Sequence, residues 1–246
     1  MDRALYVGMT GAAQTLKAQA ANSNNLANAS TTGFRAQLIE TQAVAMNGPG
    51  MQSRIYDQLL DGGWDSRSGN ISQTGRDLDV AMQPDRWLAV QASDGSEAYT
   101  KAGDLRVDAY GQLTTAAGQP VLGDGGPISV PPYSSISIGG DGTISIVPAG
   151  QGASTVAAVG RLKVVQAAPD QLTRGNDGLM RAAPGVTLDA ASGKSVTAGA
   201  LEGSNVDLAG TMVTMIQLAR QFDLHSKLMK AVEDNASASA SLVRMS

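Results

Sequence analysis

The stretch NSNNLANASTTGFRAQ, residues 22–37, decides how the chain is read. Asn22, Asn24, Asn25 and Asn28 crowd the end of a helical pattern, although asparagine competes with the helical backbone through its own amide. A Thr31-Thr32-Gly33-Phe34 turn follows at once. Upstream, Leu5, Met9, Ala12, Leu16, the polar Gln19 and Ser23, and Leu26 recur at alternating steps of four and three, which predicts a helix with a heptad seam. Gly33 is the stop signal, free to take the positive φ that ends a helix. Taken alone, the asparagine row reads either as a frayed helix end with a hydrophobic plug at Phe34, or as amides satisfied by neighbours in a packed layer.

The far end repeats the pattern. Leu208, Met212, Met215, Ala219, Phe222, Ser226, Met229, Glu233, Ala236, Ala240 and Val243 follow the same alternation. A second apolar set, Val213, Ile216, Leu224, Leu228 and Val232, widens the face beyond a two-stranded seam. Between the ends the period changes. From Gly75 onward come short alternating segments, LDVAM, WLAVQA, LRVDA, QLTTA, SISIGG, TISIVP and GRLKVVQA. Turns such as Ser93-Asp94-Gly95, Gly123-Asp124-Gly125-Gly126, Gly140-Asp141-Gly142 and Gly175-Asn176-Asp177-Gly178 separate them, which predicts a β domain without helical crossovers. The expected fold class is therefore α+β. Residues 1–35 with 205–246 form a helical, coiled-coil domain, 36–74 an extended connector with a short helical piece near Met51 to Leu60, and 75–204 a β-rich domain.

Composition excludes several functions. Aromatics make up 4% of 246 residues while glycines number 29, so the core is built from Ala, Val, Leu, Ile and Met. A net charge of -4 argues against a nucleic-acid or anionic-membrane surface. The absence of cysteine removes disulfides, thiolate catalysis and Cys-based zinc sites. No run approaches the about 18 apolar residues of a membrane span, and MDRALYVGMTGAAQTLKAQA has no cleavable-signal pattern, so any export is expected by another route.

At this point a family resemblance enters. NNLANASTTGF is similar to the N-terminal signature of the flagellar basal-body rod and hook proteins, and LEGSNVDLAGTMVTMIQLARQFDLHSKLMKAVEDN to their C-terminal signature. GRDLDVAM and AYTKAGDLRVDAYGQLTTAAGQPVLG resemble the β-domain motifs of the same family. The opening MDRALYVGMTGA and the ending look most like proximal-rod members. One departure stands at Asp85-Arg86-Trp87, where the family usually has a glycine and two aromatics.

The resemblance implies a structural subunit whose terminal helices pack into a tubular layer around an export channel, transmitting torque. It implies a helical homo-oligomer in the periplasmic rod, exported without a cleaved signal by the flagellar export apparatus. The neighbours it implies are other proximal rod proteins and the distal rod protein, with no nucleic acid and no membrane insertion. The expected interface is Leu5, Met9, Leu16, Asn24, Asn25, Leu26, Asn28, Gly33, Phe34, Met212, Met215, Ile216, Phe222 and Met229. On this reading Asn24, Asn25 and Asn28 bond laterally and Phe34 anchors the turn. A distal rod or hook subunit is the alternative within the family.

Catalytic chemistry finds little support. The single histidine, His225, has no relay beside it, and no cofactor or metal site is expected. Asp77 and Asp79 alternate on an expected strand, and a carboxylate pair could serve a peptidoglycan hydrolase. Surface acids at a strand start are the simpler reading. GGDGT occurs once and reads as a hairpin turn rather than a calcium loop.

Overall fold

A computed structural model describes residues 2–45, 55–152 and 155–245. The chain is α+β. Helix α1 (Asp2–Ala27) comes first, then strands β1 (Gln37–Ala45) and β2 (Ile55–Trp64), a long β-rich stretch, and helix α2 (Leu208–Met245). Two units form: α1, the β1–β2 hairpin and α2 make one, and Ser30–Arg35 with Ser66–Asn205 make the other.

In the helical unit α1 and α2 run antiparallel. Asn22 Nδ2 donates to the Thr211 carbonyl at 2.9 Å, while His225 lies against Gly11 and Met229 against Gly8. Among the described side chains of α1 the buried residues are Gly8, Ala12, Thr15, Ala18 and Asn22, at steps of four and three. This corrects the seam expected from Leu5, Met9, Ala12 and Leu16, of which only Ala12 is buried. The reason is steric: a Cβ added at Gly11 would stand 2.4 Å from the His225 ring, so α2 side chains rest on bare backbone there. A helix-interior glycine costs about 1 kcal/mol in propensity, so two within four residues mark a close approach. On α2 the half-buried residues Thr211, Met215, Leu218, Phe222, His225, Met229 and Val232 form the matching stripe.

The expected connector at 36–74 is largely a hairpin. Strands β1 and β2 pair antiparallel from Gln37↔Trp64 to Ala45↔Ile55, with a register shift between Gln37 and Ile39. Ile55 to Leu60, expected in a short helix, is strand; Met51 to Arg54 lie outside the described residues. Period-two alternation is faint in IYDQLLDGG, which is why the pairing was not legible there.

In the second unit each expected segment contributes a strand. The largest sheet has the order Leu172–Arg174, Met180–Ala182, Glu97–Thr100, Arg86–Gln91, Val164–Gln166, Asp189–Ala190, antiparallel throughout. Arg86–Gln91 is central and buried on both faces: Leu88 and Val90 point one way, Trp87 and Ala89 the other. Tyr133–Ile138 and Thr143–Pro148 join through Gly140-Asp141-Gly142 and bury only Ile136, Ile138, Ile144 and Ile146. With Leu88, Leu105, Leu113, Val121 and Leu162 these isoleucines fill one apolar core, as a chain poor in aromatics requires.

Close backbone approach limits this unit as much as apolar burial does. Val80 N–H donates to the Gly103 carbonyl at 2.9 Å, and a Cβ on Gly103 would fall 1.7 Å from the Val80 carbonyl oxygen. Gly103→Ala should lower the stability of the β unit by about 1–3 kcal/mol or more, read by thermal melting. Gly125→Ala, where an added Cβ meets nothing within 4 Å, should melt as the parent does.

Candidate functional site

The turn leaving α1 is built into the β unit. Gly33 has φ 69°, and its N–H donates to the Glu202 carbonyl at 2.7 Å. An added Cβ would lie 2.2 Å from the Lys101 carbonyl carbon and 2.4 Å from the Ala102 nitrogen. Glycine is therefore required twice, once by backbone sign and once by space. The turn, expected with the helical domain of residues 1–35, belongs instead to the β unit and lies on the Lys101-Ala102 backbone. Phe34 is half-buried beneath the Arg174 guanidinium, 4.8 Å from ring centroid to Cζ, and its carbonyl accepts from Asn205 N–H at 3.3 Å. Arg174 Nη1 also donates to the Arg35 carbonyl at 3.2 Å.

Next to that turn lies a charged cluster that sequence reasoning passed over. Arg35 Nη2 donates to Glu202 Oε1 at 2.6 Å, with both side chains almost fully buried. Gly69 N–H donates to the same oxygen at 3.0 Å. Trp87 carries two cations on its ring, Lys101 Nζ at 5.1 Å and Arg35 Cζ at 6.0 Å. Lys101 Nζ donates to the Gln83 carbonyl at 3.0 Å. Burial pushes the Lys101 amine down to about 8; Arg35 adds to the shift, and Glu202 and Asp85 oppose it. Asp85, at the family's usual glycine position, has φ 56°, the only positive φ among the described non-glycine residues. The sequence did hold a signal: a basic residue directly after the turn and an acidic one in the LEG entry to α2.

The expected interface residues divide three ways. Leu5, Met9, Leu16, Met212 and Ile216 are exposed, Met9 by 52% and Ile216 by 54%. Met215, Phe222 and Met229 are half-buried on the stripe of α2 that meets α1. Of the three asparagines expected to bond laterally, Asn25 and Asn28 make side-chain bonds within their own chain. Asn25 Nδ2 donates to the Gln37 carbonyl at 2.9 Å and its Oδ1 accepts from Gln37 N–H at 2.8 Å, so one amide continues β1 like a strand residue. Asn28 Nδ2 donates to the Asn24 carbonyl at 2.9 Å, Asn24 is exposed, and Leu26 is half-buried. The buried amide is Asn22, absent from the expected set.

Among the described residues, all large exposed apolar side chains except Ile71, Tyr110 and Val156 belong to the helical unit. Asp77 is exposed while Asp79 is buried and paired with Arg76 at 3.3 Å, so the two do not share a face. The shared strand face expected of the two carboxylates is therefore not formed. Asp141 is tied to Thr143 through both carboxylate oxygens, as a hairpin turn requires. Among the described residues no cluster of three or more His, Cys, Asp or Glu could hold a metal. No described helix is long and apolar enough to cross a membrane.

Both ends and part of the β unit match family models. Residues 5–35 match the flagella basal body rod protein model and 197–242 the flagellar basal body rod FlgEFG protein C-terminal model. Residues 81–146 match the flagellar hook protein FlgE/F/G D1 domain. The chain is 46% identical to the flagellar basal-body rod protein FlgF of Escherichia coli (strain K12), over all of both chains. The chain belongs to the flagellar basal-body rod protein family. FlgF of Salmonella typhimurium is 44% identical, again over all of both chains. The flagellar basal-body rod protein FlgG of Buchnera aphidicola subsp. Schizaphis graminum is 33% identical, over 92% of this chain and 94% of its own. The matched ends are α1 with its exit turn and the entry and body of α2, the segments that meet at Gly33 and Glu202 or carry the exposed apolar stripes.

Two outcomes are expected at this cluster. Lys101 holds its proton to about pH 8 when folded and to its ordinary 10.5 when unfolded. Between those values the unfolded chain binds more protons, so β-unit stability should rise with pH, by up to about 1.4 kcal/mol per pH unit. Tyr99, pushed up to about 12 by burial and Glu97, acts oppositely above pH 10, so pH 8 to 10 is the window to measure. Lys101→Met should flatten the rise in denaturant titrations; an unchanged slope would refute the assignment. Separately, Gly33→Val should lower the melting temperature of the β unit, because its side chain meets the Lys101-Ala102 backbone.

Proposed function

We propose that the chain is a structural, non-enzymatic subunit of the proximal flagellar rod, transmitting torque and lining the axial export channel. The observation that carries this reading is the pairing of end-to-end similarity to FlgF proteins with apolar stripes left outward on both terminal helices. The stripes hold Leu5, Met9 and Leu16 on α1 and Met212, Val213, Ile216, Leu224 and Leu228 on α2. Burying one such side chain is worth about 1.5–3 kcal/mol, so five to eight per subunit favour a layer in which each helix pair is covered by copies and by other rod proteins. In this proposal the contacts those stripes make are heterologous, the kind that propagates into a helix rather than closing a dimer. Its neighbours in this proposal are other proximal rod proteins and the distal rod protein, and it reaches them in the periplasmic rod by way of the flagellar export apparatus.

The likeness to FlgG proteins favours a second reading, a distal-rod subunit. One experiment separates the two. In a strain lacking the gene, basal bodies imaged by electron microscopy should stop with the proximal rod itself incomplete. Basal bodies with a full proximal rod but no distal segment would favour the second reading. Ile216→Asp should leave the melting of the purified chain unchanged within about 0.5 kcal/mol, as exposed sites do, and fail to restore motility. Restored motility would remove α2's outward stripe from the interface.

A further inference from the structure

The Arg35–Glu202 pair is poorly rewarded where it stands. Arg35 uses Nη2 on one carboxylate oxygen, while its Nε and Nη1 and Glu202 Oε2 are buried without a hydrogen-bond partner. A monodentate buried pair does not recover the cost of leaving water as a bidentate one can, and apolar replacements of such pairs often hold a fold as well or better. Lys101 is no substitute partner, since its amine is held by the Gln83 carbonyl over the Trp87 ring.

The pair's position supplies the reason for it. Arg35 lies shortly after the end of α1, and Glu202 shortly before the start of α2. Glu202 gathers two other segments, taking Gly33 N–H on its carbonyl and Arg35 and Gly69 on its carboxylate. The residues flanking Arg35 are Phe34 and Ala36, neither of which can answer a carboxylate. Slipping the exit turn by one residue would leave Glu202 charged and buried, with only the Gly69 N–H on its carboxylate. We propose that Arg35 and Glu202 form a register clasp, a buried pair that selects which residue of the α1 exit turn docks beside the α2 entry rather than adding stability to the β unit. Without it the turn can dock in neighbouring registers of similar energy, and the two helix roots lose their fixed starting points.

The full-length chain carries its own reporter. Its two tryptophans are Trp64, in the hairpin, and Trp87, beneath the clasp, so Trp64→Phe leaves Trp87 as the only indole. In that background Arg35→Met alone should lower the melting temperature, because the Glu202 carboxylate is stranded. Arg35→Met with Glu202→Gln keeps an acceptor for Gly69 N–H and removes both charges. This double variant should melt at or above the parent temperature, followed by Trp87 emission. Its amide protection at residues 33–36, read by hydrogen exchange, should still fall at least tenfold. Parent-like protection in the double variant would show the pair to be replaceable filling. A melting temperature that falls along with protection, or a double variant that does not fold, would show it to be an ordinary stabilising contact. Neither readout depends on assembly, so the clasp can fail while the rod-subunit reading stands, and the reverse.

Discussion

Glu202 is where the chain is tied together. Its carbonyl takes the N–H of Gly33, the one glycine in this turn whose φ and lack of Cβ are both demanded, and its carboxylate takes Arg35 and Gly69. The segments leaving α1 and entering α2 are therefore both set on the same β unit. The β-unit core of isoleucine, leucine and valine supplies the rigidity that makes this anchor meaningful.

The helical unit is made on the opposite plan. Its contact seam is glycine, alanine, threonine and asparagine on α1, with large apolar residues turned outward. Small residues bring the helices close but bury little area, and no described residue of α2 is fully buried. Most of the apolar surface that could stabilise these helices is thus still in water in the single chain. A layer of such pairs gains stability by covering those stripes, which ties helix order to assembly.

Much of this was legible in the sequence, and the limits have physical causes. The strands at 86–91, 133–138 and 143–148 follow from alternation and Gly-Asp-Gly turns, and both terminal helices follow from apolar recurrence. The seam of α1 was misread because periodicity weighs large residues, whereas close packing selects Gly8, Gly11 and Ala12. The β1–β2 hairpin escaped notice because its pattern does not alternate cleanly. Asn25 was expected to bond sideways, yet it meets Gln37, twelve residues on, which only the hairpin's existence makes possible. Arg35 and Glu202 were passed over because nothing local links charges so far apart in sequence; the pairing is a consequence of the fold.

The central claim is that the β unit is complete in one chain while the helix pair is completed by neighbours. Hydrogen exchange on the purified monomer tests it most directly. The account predicts strong protection for amides in Arg86–Gln91, Glu97–Thr100 and Val164–Gln166, and protection at least a hundredfold weaker along α1 and α2. Helix amides in the monomer as protected as those central strands would contradict it, because the helices would then draw their stability from their own chain.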